Sequence, residues 1–287
     1  MSTAIRLLVA IDGSKSSERT LQALTTQFSP TGTTVRVLNV VEPFTVAVSP
    51  QMAAGYAPEL EARLKDARAL VERAANTLGG SGFKVATEVR QGDIREMIIE
   101  SAKDWSAELI VVGSHGQKRL PRLLLGSVAE AVVRHASCSV EVVRTSPTFP
   151  KVLLVVDDSK FSDAAAQAVI RQVRQEHADV RVLHVVDLQL PIPTSYAVGF
   201  RQESLNHGRE LVRRVEQELS KAGFDPEGVI EEGDPRSTIV DYAKKWGANL
   251  IVAGSHGRKG LERLLMGSVA EFVVRHAPCS VEVVRMT

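Results

Sequence analysis

An internal repeat constrains this chain more than any other feature of its sequence. Residues 113–144 and 254–285 differ at only 6 of 32 aligned positions. The openings also correspond, because LLVAIDGSKSSERTLQAL at 7–24 is similar to LLVVDDSKFSDAAAQAVI at 153–170. A repeat of this length indicates that the chain contains two copies of one structural unit.

The length of 287 residues agrees with this, since one domain usually takes about 100–200 residues. We predict a first domain at 1–144 and a second at 151–287. Between them, residues 145–150 read TSPTFP, and two prolines among small polar residues are typical of a short extended linker.

Each copy alternates short apolar runs with amphipathic stretches, as expected for parallel strands joined by crossover helices. We therefore predict an α/β fold of two tandem five-stranded parallel sheets, each with helices on both faces. The predicted strands are Ile5–Ile11, Thr34–Val41, Lys84–Arg90, Glu108–Val112 and Ser139–Val143, then Val152–Val156, Val180–Val186, Val229–Glu232, Asn249–Ala253 and Ser280–Val284.

Apolar residues at helical spacing predict one long core-facing helix in each copy. In the first copy we expect Gly79 and Gly80 to end that helix in a left-handed conformation, and in the second copy Gly223 follows it. The stripes are Leu60, Leu64, Ala67, Val71, Ala74 and Leu78, and Leu211, Val215 and Leu219.

Composition excludes several classes of protein. Lys and Arg number 35 against 34 for Asp and Glu, so we expect no nucleic-acid binding through bulk charge. The apolar runs are too short to span a membrane, and the start lacks an export signal, which favours a cytoplasmic protein. Cys138 and Cys279, one in each copy, are expected to be apolar residues at a strand entry rather than a redox pair.

Ligands of open parallel sheets bind beyond the carboxyl ends of the strands. Asp12 and Asp157 follow the first strand of each copy, where a carboxylate can accept from a ribose hydroxyl or help to hold hydrated Mg²⁺. Ser14 and Ser159 are predicted to cap the next helix.

A glycine loop follows the fourth strand. Gly113-Ser-His-Gly116 precedes nine residues and then Gly126-Ser127, and the second copy repeats this pattern from Gly254. Glycines allow backbone N–H groups to approach a phosphate, and the start of the next helix favours an anion. The alternative is that the glycines mark tight turns and that the basic residues form a solvated face. These basic residues are Lys118, Arg119 and Arg122, and Arg258, Lys259 and Arg263. His115 and His256 within the loops are expected to order them rather than to catalyse.

The glycine pattern resembles the nucleotide-binding motif of the universal stress protein family, as do the opening V-A-I-D-G-S, the second strand ending L-N-V-V-E and the closing C-S-V-E-V-V-R. The resemblance covers nearly the whole chain as a tandem pair. It implies an adenine-nucleotide α-hydrolase-like fold, with ATP in each cleft and Mg²⁺ on the triphosphate.

The resemblance also implies roles for individual residues. Asp12 and Asp157 would contact the nucleoside. The backbone at Val41 and Val186 would hydrogen-bond adenine, with Val40 and Val185 as the alternative. The remaining binding positions, mostly around the phosphates, are Gly113, Gly116, Gly126, Ser127 and Val128, and Gly254, Gly257, Gly267, Ser268 and Val269.

The two sites are not identical in sequence. Asp158 replaces Gly13 and adds a negative charge, and Gly260 and Glu262 replace Arg119 and Pro121. Against this, Arg258 replaces Gln117. We expect both sites to bind ATP, the first more tightly.

Two further segments suggest interactions. The long connections Glu42–Pro58 and Asp187–Phe200 are expected to cover the nucleotide, to contact a partner or to be disordered. The closing VEVV strands would be open sheet edges, so we expect the two halves to pair through them as a dimer within one chain. Association of two chains into a homodimer is a further alternative.

The sequence therefore predicts an ATP-binding stress-response regulator that acts on unidentified protein partners. No catalytic or metal-ligating residues are predicted, and the chain has neither a Walker A lysine motif nor G-x-G-x-x-G after a strand. A scaffold of the same fold that binds no nucleotide and a slow ATPase remain alternatives.

Overall fold

The computed structural model describes residues 5–43, 50–116, 125–146, 149–187, 194–257 and 266–286. These residues form ten strands and eight α-helices. The first half contains β1 (Ile5–Ala10), α1 (Lys15–Gln27), β2 (Thr33–Val41), α2 (Pro50–Gly80), β3 (Lys84–Gln91), α3 (Ile94–Asp104), β4 (Leu109–Gly113), α4 (Ser127–His135) and β5 (Ser139–Val143). The second half contains β6 (Lys151–Val155), α5 (Lys160–Gln172), β7 (Asp179–Val186), α6 (Thr194–Lys221), β8 (Pro226–Glu232), α7 (Pro235–Trp246), β9 (Leu250–Gly254), α8 (Ser268–His276) and β10 (Ser280–Val284).

Each half is a parallel five-stranded sheet, which confirms the predicted fold class. The strand order is β3-β2-β1-β4-β5 in the first half and β10-β9-β6-β7-β8 in the second. The strands carry apolar residues on both faces, and helices cover both sides of the sheet.

The core has three parts. One cluster on the α1 and α2 face belongs to the first half, and a second on the α5 and α6 face belongs to the second half. The third lies on the face covered by α3, α4, α7 and α8, and it runs through both halves without a break. The halves therefore share part of their hydrophobic core.

The closing strands join the halves into a single ten-stranded sheet. β5 and β10 pair antiparallel, with Val142 opposite Val281 and Val140 opposite Val283. Pairing removes the two open edges predicted from the sequence. The expected dimer-like arrangement within one chain is therefore present.

Two arginines reinforce this junction symmetrically. Arg144 Nη2 donates to the Val274 carbonyl at 2.5 Å, and Arg285 Nη2 donates to the Val133 carbonyl at 2.6 Å. Each guanidinium thus reaches a carbonyl in the last turn of a helix of the other half, where intrahelical donors are lacking.

The long helices differ from the prediction at their ends. Gly79 and Gly80 are helical, and the left-handed residue is Gly82, whose φ is +90°. α2 begins at Pro50 and α6 at Thr194, so parts of the predicted connections Glu42–Pro58 and Asp187–Phe200 are helical. Good helix formers such as Met52 and Ala53 explain the earlier start of α2. Residues 44–49 and 188–193 lie outside the described residues.

Both cysteines are free and buried, as expected for residues at a strand entry. Burial raises the pKa of the Cys138 thiol to about 11 and that of Cys279 to about 12. No described helix is both long and apolar enough to cross a bilayer.

Candidate functional site

The carboxyl ends of β1 and β4 form the crevice of the first half. These strands are neighbours, with Ala10 beside Val112, but the chain leaves β1 for β2 on the other side. Such a switch in strand order opens a crevice between the loops that follow the two strands. β6 and β9 repeat this arrangement in the second half. The predicted aspartate and glycine loops therefore lie side by side.

The Asp12 carboxylate is held by the start of α1. Its Oδ1 accepts from the Ser14 N–H at 3.0 Å and from Ser17 Oγ at 2.7 Å. Its Oδ2 faces the glycine loop, because a Cβ placed on Gly116 would lie 2.9 Å from that oxygen. The corresponding distance from Gly257 to Asp157 Oδ2 is 2.7 Å. The two predicted motifs are thus in contact in both halves.

The serines after the aspartates cap helices, as predicted. Ser14 Oγ accepts from the Ser17 N–H, and Ser159 Oγ accepts from the Ser162 N–H. Ser159 Oγ also donates to Asp157 Oδ1 at 2.5 Å. These serines therefore fix the position of the carboxylate as well as the helix start.

A serine that sequence reasoning missed organises each glycine loop. The Ser114 N–H donates to the Val143 carbonyl at 3.0 Å, and its own carbonyl accepts from the Gly126 N–H at 2.9 Å. Ser255 makes the same bonds with Val284 and Gly267. The loop is therefore closed at its base. The available sequence signal was a serine directly after an apolar strand, and this serine is buried in both halves.

Close backbone packing accounts for two of the loop glycines. A Cβ on Gly113 would lie 2.5 Å from Ser16 Oγ, and one on Gly126 would lie 3.0 Å from the Ser114 carbonyl oxygen. Glycine at these positions lets α1 and the loop base lie against the end of β4.

The helix after each loop begins without a side-chain cap. Gly126 is the N-cap of α4 and Gly267 that of α8, and glycine has no side-chain acceptor. Ser127 and Ser268, the first helical residues, are exposed, and Val128 and Val269 are half-buried. The first amides of these helices carry the positive end of the helix dipole, which favours an anion.

The loop histidines bond to their own loops. His115 Nδ1 lies 3.0 Å from Ser114 Oγ, and His256 Nδ1 lies 3.1 Å from Ser255 Oγ. The His256 ring also packs on Phe161, with ring centroids 5.0 Å apart. This geometry supports the interpretation that the histidines order the loops.

At the ends of β2 and β7, the backbone groups of the two candidate adenine-contact residues face opposite sides. The Val41 carbonyl accepts from the Gly92 N–H and that of Val186 from Gly233, on the β3 and β8 sides. The Leu38 carbonyl accepts from the Ile11 N–H and so faces β1. Since backbone groups alternate in direction along a strand, Val40 also points to the β1 side, beyond the end of β1. The same alternation directs Val185 beyond β6.

The two crevices differ where their sequences differ. Gly13 has a φ of +76°, whereas Asp158 has no positive φ and lies 3.5 Å from His207 Nε2. Ser16 beneath Gly113 is replaced by Phe161 beneath Gly254. The first crevice is thus less acidic and more polar at its floor.

The other substitutions that are predicted to distinguish the two sites lie in residues 117–124 and 258–265, outside the described residues. These two segments contain all the predicted basic residues, namely Lys118, Arg119, Arg122, Arg258, Lys259 and Arg263, as well as Gln117, Pro121, Gly260 and Glu262. Among the residues that are described, no group of three or more His, Cys, Asp or Glu is placed to hold a metal ion.

Comparisons with known proteins agree with this architecture. The model of the universal stress protein family matches residues 5–144 and 148–285. A universal stress protein of Mycolicibacterium smegmatis is 29% identical over 99% of this chain and 98% of its own length. Universal stress protein MJ0531 of Methanocaldococcus jannaschii is 34% identical over 48% of this chain and 82% of its own. The crystal structure of a universal stress protein from Archaeoglobus fulgidus has the same fold, with a TM-score of 0.68, 22% identity and coverage of 99% and 97% of the two chains.

Proposed function

Since this chain belongs to the universal stress protein family, we propose that each half binds ATP and that nucleotide occupancy changes a surface recognised by partner proteins. The regulator would act in the cytoplasm.

One observation carries the nucleotide proposal: the contact between the Asp12 carboxylate and Gly116, with the uncapped start of α4 closing the same loop. A carboxylate suits hydroxyl groups of a ribose, whereas backbone amides and a helix start suit phosphates. One crevice thus offers both kinds of group that a nucleotide requires. Asp157, Gly257 and α8 repeat the arrangement.

We assign the adenine contact to Val40 and Val185 rather than to Val41 and Val186. The backbone of Val40 and Val185 points past the ends of β1 and β6, into the crevice. The Val41 and Val186 carbonyls already accept from Gly92 and Gly233. A flat base lying over the end of β1 would meet these backbone groups at its edge.

The phosphates would lie against the backbone of Gly113, Gly116 and Gly126 and the first amides of α4 at Ser127 and Val128. In the second half, the equivalent residues are Gly254, Gly257, Gly267, Ser268 and Val269. Mg²⁺ would reduce the charge on the triphosphate, and Asp12 or Asp157 would help to hold the hydrated ion. The residues fit this ion as partners of a hydrated, phosphate-bound cation rather than as a dedicated cage.

Thermal unfolding with and without Mg-ATP tests the proposal. ATP at about 100 times its Kd should stabilise the chain by about 2.7 kcal/mol for one site. The absence of a shift with any adenine nucleotide at millimolar concentration would favour a scaffold that binds none. Phosphate release measured on the same samples distinguishes a protein that binds ATP without hydrolysing it from a slow ATPase. Native mass spectrometry of freshly purified protein identifies any nucleotide that is retained.

A further inference from the structure

Two buried carboxyl groups lie opposite each other where the halves join. Glu141 on β5 and Glu282 on β10 are direct partners in the antiparallel pairing. Each residue is only 1% exposed. Side chains of directly opposed residues share one face, with Cβ atoms about 4.5–5.5 Å apart. Sequence reasoning missed this pair, although a glutamate between valines in each closing strand was the available signal.

The surroundings of the pair offer little compensation for two negative charges. From α1, Gln27 Nε2 donates to Glu141 Oε2 at 3.2 Å, and from α5 the Gln172 side chain hydrogen-bonds Glu282. Among the described residues, Glu282 Oε1 has no hydrogen-bond partner. The neighbouring strands present Val111 beside Glu141 and Val252 beside Glu282.

Among the residues that the structure describes, one cation acts on the pair from the packed elements. Arg171 on α5 attracts Glu282, but its guanidinium also lies 3.7 Å from Glu108. The charged residues Glu130, Arg134, Glu271 and Arg275 are on α4 and α8, which cover the opposite face. The last turn of α1 carries no basic residue. Two ionised carboxylates here would therefore be desolvated, mutually repulsive and incompletely balanced.

Protonation removes this conflict, since a neutral carboxyl needs less solvation and gains an O–H donor. Burial raises the pKa of Glu141 to about 8, with the Glu282 charge as a second cause, and burial raises the pKa of Glu282 to about 7. Both values lie well above the usual range for glutamate.

We propose that Glu141 and Glu282 form a proton-binding site at the junction, and that loss of its protons loosens the pairing of β5 with β10. The folded chain then holds protons that the unfolded chain has released between about pH 4.5 and 8. The stabilisation is complete below that window and is lost as the pH rises through it. The pair would make the association of the two halves sensitive to pH near neutrality.

Hydrogen exchange of the paired strands tests the proposal on the intact chain. Protection factors of the amides in 139–143 and 280–284, corrected for intrinsic rates, should fall at least tenfold from pH 6 to pH 9. The double variant Glu141→Gln and Glu282→Gln mimics the neutral pair and should lose this dependence. Glu130→Gln with Glu271→Gln removes the same number of carboxylates from the exposed face and should retain it. A wild-type junction whose protection does not change with pH would overturn the proposal.

A second measurement covers the case in which the double variant does not fold. Carboxyl ¹³C resonances of the wild-type chain, labelled at glutamate Cδ, should include two that titrate above pH 6, and each single Gln variant should remove one. If all glutamates titrate near pH 4.5, the pair is ionised and the proposal is wrong.

A small cavity beside Glu141, of about 10 Å³, has room for one water-sized particle. Protection that depends on Na⁺, K⁺ or Ca²⁺ concentration instead of pH would mean that a cation balances the pair, and would also overturn it.

Discussion

The Asp12 carboxylate lies so close to Gly116 that a Cβ at residue 116 would be 2.9 Å from Oδ2. Real Cβ atoms essentially never approach an oxygen this closely, so glycine is required as long as the carboxylate stays in place. The carboxylate is fixed by Ser14 and Ser17. The aspartate and the glycine are thus one structural unit, although 104 positions separate them in the sequence.

The first prediction concerns this contact. Gly116→Ala should displace the Asp12 carboxylate and lower the ATP affinity of the first site at least tenfold, a loss of about 1.4 kcal/mol. Gly257→Ala should act on the second site in the same way through Asp157. Isothermal titration calorimetry of each variant reports the remaining site.

Gly79→Ala is the matched control. This glycine is helical, and an added Cβ would meet nothing within 4 Å. The exchange should raise the free energy of unfolding by about 0.5–1 kcal/mol and leave ATP binding unchanged. An equal affinity for ATP in Gly116→Ala and Gly79→Ala would show that ATP does not bind in the crevice beside Gly116.

A second prediction addresses the difference between the two sites. In a chain that carries Gly116→Ala, the change Asp158→Asn should strengthen the second site by about threefold to tenfold, since a nearby negative charge is removed. Asp179→Asn changes the net charge equally at the amino end of β7, the opposite end of the sheet. It should have little effect. Equal gains in ATP affinity from both variants would mean that only net charge matters. If the second site, measured in Gly116→Ala, bound ATP more tightly than the first site, measured in Gly257→Ala, the predicted ranking of the two sites would be wrong.

A third prediction concerns the arginines that cross the junction. Arg144→Ala or Arg285→Ala should lower the free energy of unfolding by about 1.5–3 kcal/mol, the usual loss for a hydrogen bond from a charged group. Arg134 is the comparison, because its ion pair with Glu271 at 3.0 Å also crosses the junction but is solvent-exposed. Arg134→Ala should cost at most about 1 kcal/mol. Urea denaturation measures all three, and similar losses would contradict this difference.

A fourth prediction follows from a paired change of size between the copies. His184 Nδ1 bonds to the Val156 carbonyl oxygen at 2.8 Å, and a Cβ on Gly208 would lie 2.8 Å from His184 Cδ2. In the first half, Asn39 donates to the Ile11 carbonyl and Ala67 takes the position of Gly208. Gly208→Ala alone should therefore destabilise the chain by about 1–3 kcal/mol through overpacking.

Adding His184→Asn restores the pair found in the first half and should recover most of this loss. The coupling between the two changes should exceed about 1 kcal/mol in a double-mutant cycle. Gly199→Ala, on the same helix with open space around its Cα, should instead be neutral or stabilising. Additive effects of the changes at 184 and 208 would show that the two side chains do not compete for space.

Much of the fold followed from local patterns. The alternation of apolar and amphipathic runs and the Ser14 and Ser159 caps depend on residues close together in the chain, and the structure agrees with them. Helix ends were predicted less well. The sequence contains four glycines between 79 and 92. Gly82 is the left-handed residue after α2, where the Gly82 N–H donates to the Gly79 carbonyl and the Phe83 N–H donates to the Leu78 carbonyl.

The amino-acid sequence by itself determined that there are two similar α/β halves, and it identified the aspartate and glycine loops, because periodicity and turn chemistry are properties of short segments. Tertiary structure decided which residues these segments contact. It brought Asp12 against Gly116, turned Val40 rather than Val41 toward the crevice, and set Glu141 opposite Glu282. These relationships depend on strand order and on the register of strand pairing, which no local pattern specifies.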